Sequence, residues 1–173
     1  TVSKVWYPSK TAGFDRRLTV YTPAGYEKGK TRYPVVYILH GIGGDEDAWV
    51  TQGRATQILD NLIAQGKAKP MIAVFTNGNI SQEAAPLENS MGYVNPTMSL
   101  PQTMEGTFEY AFPEIVDFID GHYRTIAKKQ SRAICGLISR IVGKGLMRWP
   151  IAPFRALLRP FAASIASLSA ATA

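Results

Sequence analysis

The stretch Pro34-Val-Val-Tyr-Ile-Leu39, followed at once by His40-Gly-Ile-Gly-Gly-Asp-Glu-Asp-Ala-Trp49, decides how the rest of the chain is read. An unbroken apolar run of this length suits a strand covered on both faces, as in a parallel sheet flanked by helices. Glycines at the strand's end let backbone N–H groups turn toward one point, which suits a developing oxyanion. Two other roles fit a glycine-rich turn: a purely structural bend, or a phosphate cradle. The cradle lacks support, because neither a dinucleotide fingerprint nor a P-loop lysine is present. Asp45, Glu46 and Asp47 stand just before Ala48 and Trp49, where acids cap free N–H groups at a helix start and complement its dipole. Three adjacent acids do not by themselves set two carboxylates across a reacting bond, so a paired-carboxylate mechanism is set aside.

Outward from this stretch the chain alternates strand and helix patterns. Residues 16–23 are rich in β-branched and aromatic side chains and end at Pro23, which predicts an outer strand. Ala55, Ile58, Leu59, Leu62 and Ile63 fall at helical spacing and predict a crossover helix over 54–65, ended by Gly66. Residues 71–75, Met-Ile-Ala-Val-Phe, form a second buried-type strand, so a right-handed βαβ unit is expected and the fold class is α/β. Residues 80–107, with three prolines and little periodicity, are expected to form a long loop beside the site. Phe112, Ile115, Val116, Phe118 and Ile119 predict a helix over 108–123, with Pro113 tolerable only near its start. Residues 132–137 are a third short buried strand.

Composition bounds what such a chain does. Its 173 residues, 46% apolar and 18% charged, suffice for one core. No stretch reaches the roughly 20 uninterrupted apolar residues of a spanning helix. The net charge of +6 raises the question of nucleic acid, but residues 1–136 hold 14 Lys and Arg against 13 Asp and Glu, while 137–173 hold five basic residues and no acid. The basicity belongs to the tail, and no nucleic-acid partner is expected. The chain opens at Thr1 without a basic stretch leading into an apolar run, so any signal peptide is expected to be removed or absent. Cys135 excludes an internal disulfide and a cysteine-rich metal site; within Arg132-Ala-Ile-Cys-Gly136 it reads as a small buried hydrophobe.

Several segments together carry a family likeness: Tyr33-Pro-Val-Val-Tyr-Ile-Leu-His-Gly-Ile-Gly-Gly44, Gly53-Arg-Ala55, Asp60-Asn-Leu-Ile-Ala-Gln-Gly-Lys-Ala-Lys-Pro70, Thr76-Asn-Gly-Asn79, Tyr123-Arg-Thr125 and Arg132-Ala-Ile-Cys-Gly-Leu137. Over about residues 14–137 the chain resembles the esterase D-type esterases, and among them bacterial feruloyl esterases. The resemblance implies an α/β-hydrolase, a mostly parallel sheet with helices on both faces, whose C-terminal half is incomplete here. Residues 1–137 would be the N-terminal part of that domain and 138–173 an atypical basic, Ala/Ser-rich tail. It implies a secreted or periplasmic serine carboxylesterase that removes feruloyl or acetyl groups from xylan. The substrate would be a small or polysaccharide-linked ester, with no cofactor and no metal. The backbone N–H of Ile42 would donate to the oxyanion, with His40, Gly41, Gly43 and Gly44 supporting the loop; His40 would not be the triad base.

The likeness stops inside the nucleophile motif. The family needs Gly-x-Ser-x-Gly after the third strand, because the serine sits on a turn too tight for flanking side chains. Here the residues are Gly136-Leu-Ile-Ser-Arg-Ile141, so Ile138 occupies the serine position and Ser139, the remaining candidate nucleophile, is flanked by Leu137 and Ile141. An acid and then a histidine should follow the serine in chain order, yet the last acid is Asp120 and the last histidine His122, which is expected to be exposed at a helix end. A reading-frame change near Leu137 is the favoured account of the tail, over a divergent helix pair or a basic segment for a membrane surface or acidic partner. Two functions follow as alternatives, an ester hydrolase or a non-catalytic remnant or carbohydrate-binding module that keeps the cleft.

Overall fold

A computed structural model describes residues 1–41, 45–78 and 107–136. Five strands form one mixed sheet: β1 (Val2–Ser9), β2 (Phe14–Tyr21), β3 (Val35–Leu39), β4 (Ile72–Thr76) and β5 (Arg132–Gly136), in the order β1-β2-β4-β3-β5. β1 pairs antiparallel with β2 and β2 antiparallel with β4, whereas β3 lies parallel to both β4 and β5. Among the described residues three α-helices accompany them, α1 (Ala48–Thr51), α2 (Ala55–Ala64) and α3 (Thr107–His122).

The unbroken apolar runs have a simple cause. Alternate residues of a strand face opposite sides, and here both sides are roofed. Val35, Tyr37 and Leu39 of β3 and Ile72 and Val74 of β4 pack with Phe112, Ile115 and Ile119 of α3. Val36, Ile38, Ala73 and Phe75 pack with Ala55 and Leu59 of α2 on the other side. The crossover helix and the three parallel strands stand within a residue or two of where periodicity puts them. The fold is that of an α/β-hydrolase in this part of its sheet.

Three expectations are corrected. The predicted outer strand is not the edge: β1 covers it along eight register pairs, from Val2 with Tyr21 to Ser9 with Phe14. β1 escapes sequence reading because, at the rim, most of its side chains meet solvent, Trp6 among them, and no apolar alternation is required. Pro113 sits in the second turn of α3 and not near its start. An interior proline costs about 3 kcal/mol, but Phe112, Ile115 and Ile119 are fully buried and contribute about 1.5–3 kcal/mol each, so packing outweighs it. Capping by the acids before α1 holds only in part: Asp47 is the N-cap residue but makes no side-chain cap bond, while Asp45 Oδ1 accepts the Asp47 N–H at 2.8 Å. All three are also buried, for a reason that belongs to the site.

Candidate active site

Parallel strands deliver their C-terminal ends to one edge of a sheet, and in such folds the crevice at that edge is where ligands bind. β3, β4 and β5 end level with one another, since Leu39 pairs with both Thr76 and Gly136. Their next residues, His40 and Asn77, therefore stand side by side. Gly136 is a packing requirement: a Cβ there would lie 2.4 Å from the Leu39 carbonyl oxygen. That same oxygen accepts a 2.8 Å hydrogen bond from Nε1 of Trp49, which anchors the start of α1 to the end of β3. Gly53 answers to Trp49 in turn, because a Cβ at 53 would come within 2.8 Å of its ring.

His40 is buried, and both ring nitrogens are engaged. Nε2 accepts the Gly78 N–H at 2.9 Å, so the proton sits on Nδ1, which lies 2.6 Å from the Gly41 carbonyl. Burial lowers its pKa, followed by a smaller opposing effect of the Gly41 carbonyl. A neutral imidazole whose lone pair holds a backbone amide ties the loop after β3 to the loop after β4; it has no free nitrogen with which to take a proton from a serine.

Beyond the glycines the chain re-enters with three buried acids. Glu46 has no exposure at all; its Oε1 pairs with Nε of Arg17 and its Oε2 accepts from Asn77 Nδ2 at 2.9 Å. Asp47 accepts from Thr19 Oγ1 and from Lys4 Nζ, both at 2.7 Å. Asp45 Oδ1 accepts the Asp47 N–H at 2.8 Å, while its Oδ2 has no hydrogen-bond partner among the described residues. Burial, reinforced by the neighbouring Glu46 and Asp47 charges, pushes the Asp45 carboxyl up to about 6. The cations come from β1 and β2 by register. Thr19 lies opposite Phe75 and Trp6 opposite Arg17, so extending β2 past β4 sets Arg17 next to Asn77 with its guanidinium over the Trp6 ring. Arg16 points to the other face, yet its Nη2 reaches the Asn77 carbonyl at 2.6 Å. Nothing in the sequence around Arg16 and Arg17 marks them for the site; the signal available is three acids after a glycine turn, which need cations if buried.

Of the residues expected at the site, Ile42, Gly43, Gly44 and Ser139 lie outside the described residues, as do the tail and all of the expected loop 80–107 but Thr107, which begins α3. His122 is exposed at the far end of α3, with Nδ1 2.8 Å from the Phe118 carbonyl and its ring stacked on Phe118. From there the chain runs to Thr125, which bridges Tyr33 before the start of β3. Asp120, the last acid, bonds Thr125 Oγ1 at 2.6 Å and pairs with Arg132 at the same end. Both therefore stand at the opposite edge of the sheet from His40. Cys135 is partly buried on β5, its thiol pushed up to about 12 by burial, which leaves it unreactive as a nucleophile near neutral pH. Among the described residues no group of three or more His, Cys, Asp or Glu could hold a metal ion, and no helix is long and apolar enough to cross a membrane.

Comparison with known proteins points one way. The family model described as "Putative esterase" matches residues 9–138. An endo-1,4-beta-xylanase/feruloyl esterase of Xylanibacter ruminicola is 36% identical over 140 residues, covering 79% of this chain and 18% of that protein. Among solved structures, a ferulic acid esterase superposes with a TM-score of 0.60 at 30% identity, over 79% of this chain and 49% of that one. A CE1 ferulic acid esterase from Anaeromyces mucronatus, solved with ferulic acid, gives 0.56 at 26% identity over 79% and 48%. The chain thus spans about half the length of these solved structures and under a fifth of the curated protein.

Proposed function

Because this chain belongs to the Putative esterase family, we propose that the crevice at the ends of β3, β4 and β5 is a carboxylic ester hydrolase site, for feruloyl or acetyl esters of a xylan-type polysaccharide. In this proposal the backbone N–H of Ile42 donates to the oxyanion, with Gly41, Gly43 and Gly44 leaving the backbone free to turn toward it and His40 holding the loop. A serine hydroxyl after β5, for which Ser139 is the candidate, attacks the ester carbonyl carbon, expels the sugar alcohol and is released from the acyl group by water. A secreted or periplasmic location goes with a cell-wall substrate. The observation that carries the proposal is the double tie, His40 to Gly78 and Glu46 to Asn77, which secures the chain on either side of residues 41–45 at the carboxyl edge of three parallel strands.

One observation favours a second function, a non-catalytic module that keeps the ester-binding crevice. Asp120 and His122 stand at the wrong edge of the sheet to serve as acid and base, and His40 has no free nitrogen. Without a base a serine hydroxyl stays protonated and weakly nucleophilic near pH 7. Purified protein assayed on an aryl acetate and on methyl ferulate beside Ser139→Ala decides between them. Turnover that disappears in the variant supports hydrolysis; equal background in both supports the binding module.

A further inference from the structure

Asn77 follows β4 within the Thr76-Asn-Gly-Asn79 motif, and none of the chemical steps above involves its side chain. It is buried and gripped from both faces of the sheet. Arg16 donates to its carbonyl from one side, and on the other its Nδ2 donates to Glu46, which Arg17 holds. The next residue, Gly78, donates its N–H to His40. Two adjacent residues of one loop thus receive the chain just before Gly41 and just after Asp45. Ordinary core packing does not need such an arrangement: removing two charges from water costs several kcal/mol per ion, and apolar residues of similar volume often serve stability as well. Fixed geometry is what a buried, fully bonded polar cluster supplies and an apolar contact does not.

We propose that Asn77 and Glu46 are positioning residues that hold the chain at residues 45–47, just after the glycines, to the same loop segment that holds it at His40, just before them. Their influence on turnover rests on the ester hydrolase proposal; their influence on the turn does not. Neither touches substrate. Amide hydrogen exchange on the full chain tests it, comparing Asn77→Ala with Thr125→Val, a control that deletes a partly buried hydrogen bond to Asp120 at the opposite edge of the sheet. The expected result is exchange at Gly41 and residues 45–47 at least about 10-fold faster in Asn77→Ala than in the control, with β3 and β4 amides alike in both. Asn77→Ser, which keeps a small polar group, serves if the alanine variant does not fold. Exchange around the turn equal to that of the control, or faster throughout the sheet, overturns the proposal. Where the unsubstituted protein turns over methyl ferulate, kcat in Asn77→Ala should fall by about 10–100-fold with KM within about twofold, because misaligned donors are felt in the transition state. A protein without turnover defeats the hydrolase proposal and leaves the positioning role to the exchange measurement.

Discussion

The two edges of the parallel sheet handle buried charge differently. At the edge where the strands begin, Asp120 bonds Thr125 and pairs with Arg132 within 12 residues of chain, Arg132 Nε has no hydrogen-bond partner among the described residues, and Arg124 lies over the Tyr26 ring beside them. At the edge where the strands end, Glu46 and Asp47 draw partners from β1, β2 and the loop after β4, between 28 and 43 residues away in sequence. The first cluster closes one local connection between a helix and a strand. The second brings together four separate segments around a glycine turn. A local cluster is a fastening; one assembled from distant segments fixes where the chain on either side of the glycine turn lies.

The largest expected effect separates these edges directly. Glu46→Ala removes the carboxylate from a buried guanidinium and should cost about 3–5 kcal/mol in urea unfolding. Asp120→Ala, whose pair with Arg132 is partly exposed, should cost visibly less. Equal losses would erase the distinction. Glycines sharpen it next. Gly136→Ala drives a methyl into the Leu39 carbonyl and should lower stability by about 1–3 kcal/mol. Gly121→Ala, near the end of α3 with nothing within 4 Å of the new carbon, should raise it by about 0.5–1 kcal/mol, seen as opposite shifts of Tm.

The smallest effect is in pH. Asp45 has a raised pKa in the folded protein, so between about pH 4 and 6 the native state binds more protons than the unfolded one and this group's contribution to stability falls as pH rises. His40, held neutral with a lowered pKa, acts in the opposite sense, its contribution being lost as pH falls below about 6.5. Subtracting the stability profile of Asp45→Asn from that of the unsubstituted protein isolates the first slope. A difference that stays flat from pH 4 to 7 would show that the carboxyl is not desolvated.

Much of the scaffold was legible beforehand, and the reason is visible in particular residues. β3, β4 and α2 announce themselves because a central strand must be apolar on both faces and a crossover helix on one. β1 was silent because a rim strand with Trp6 in solvent carries no such demand. Pro113 misled because a backbone rule for isolated helices gave way to three buried neighbours. The site was legible only in part: the glycine turn and His40 stood out by residue type, whereas Arg17 and Asn77 did not, since nothing in their own neighbourhoods marks them as partners of an acid 29 and 31 residues away.

Sequence alone determined the periodicities, and through them the α/β class, the strand-helix-strand unit and the place where glycines interrupt it, because those depend on contacts each residue makes with a generic apolar interior. Only the tertiary structure decided that the three acids after the turn are buried, which cations answer them, and that Asn77 and Gly78 receive both ends of the turn. Such pairings depend on strand order and register, here the antiparallel run of β2 beside β4, which brings residues distant in the chain within hydrogen-bond reach.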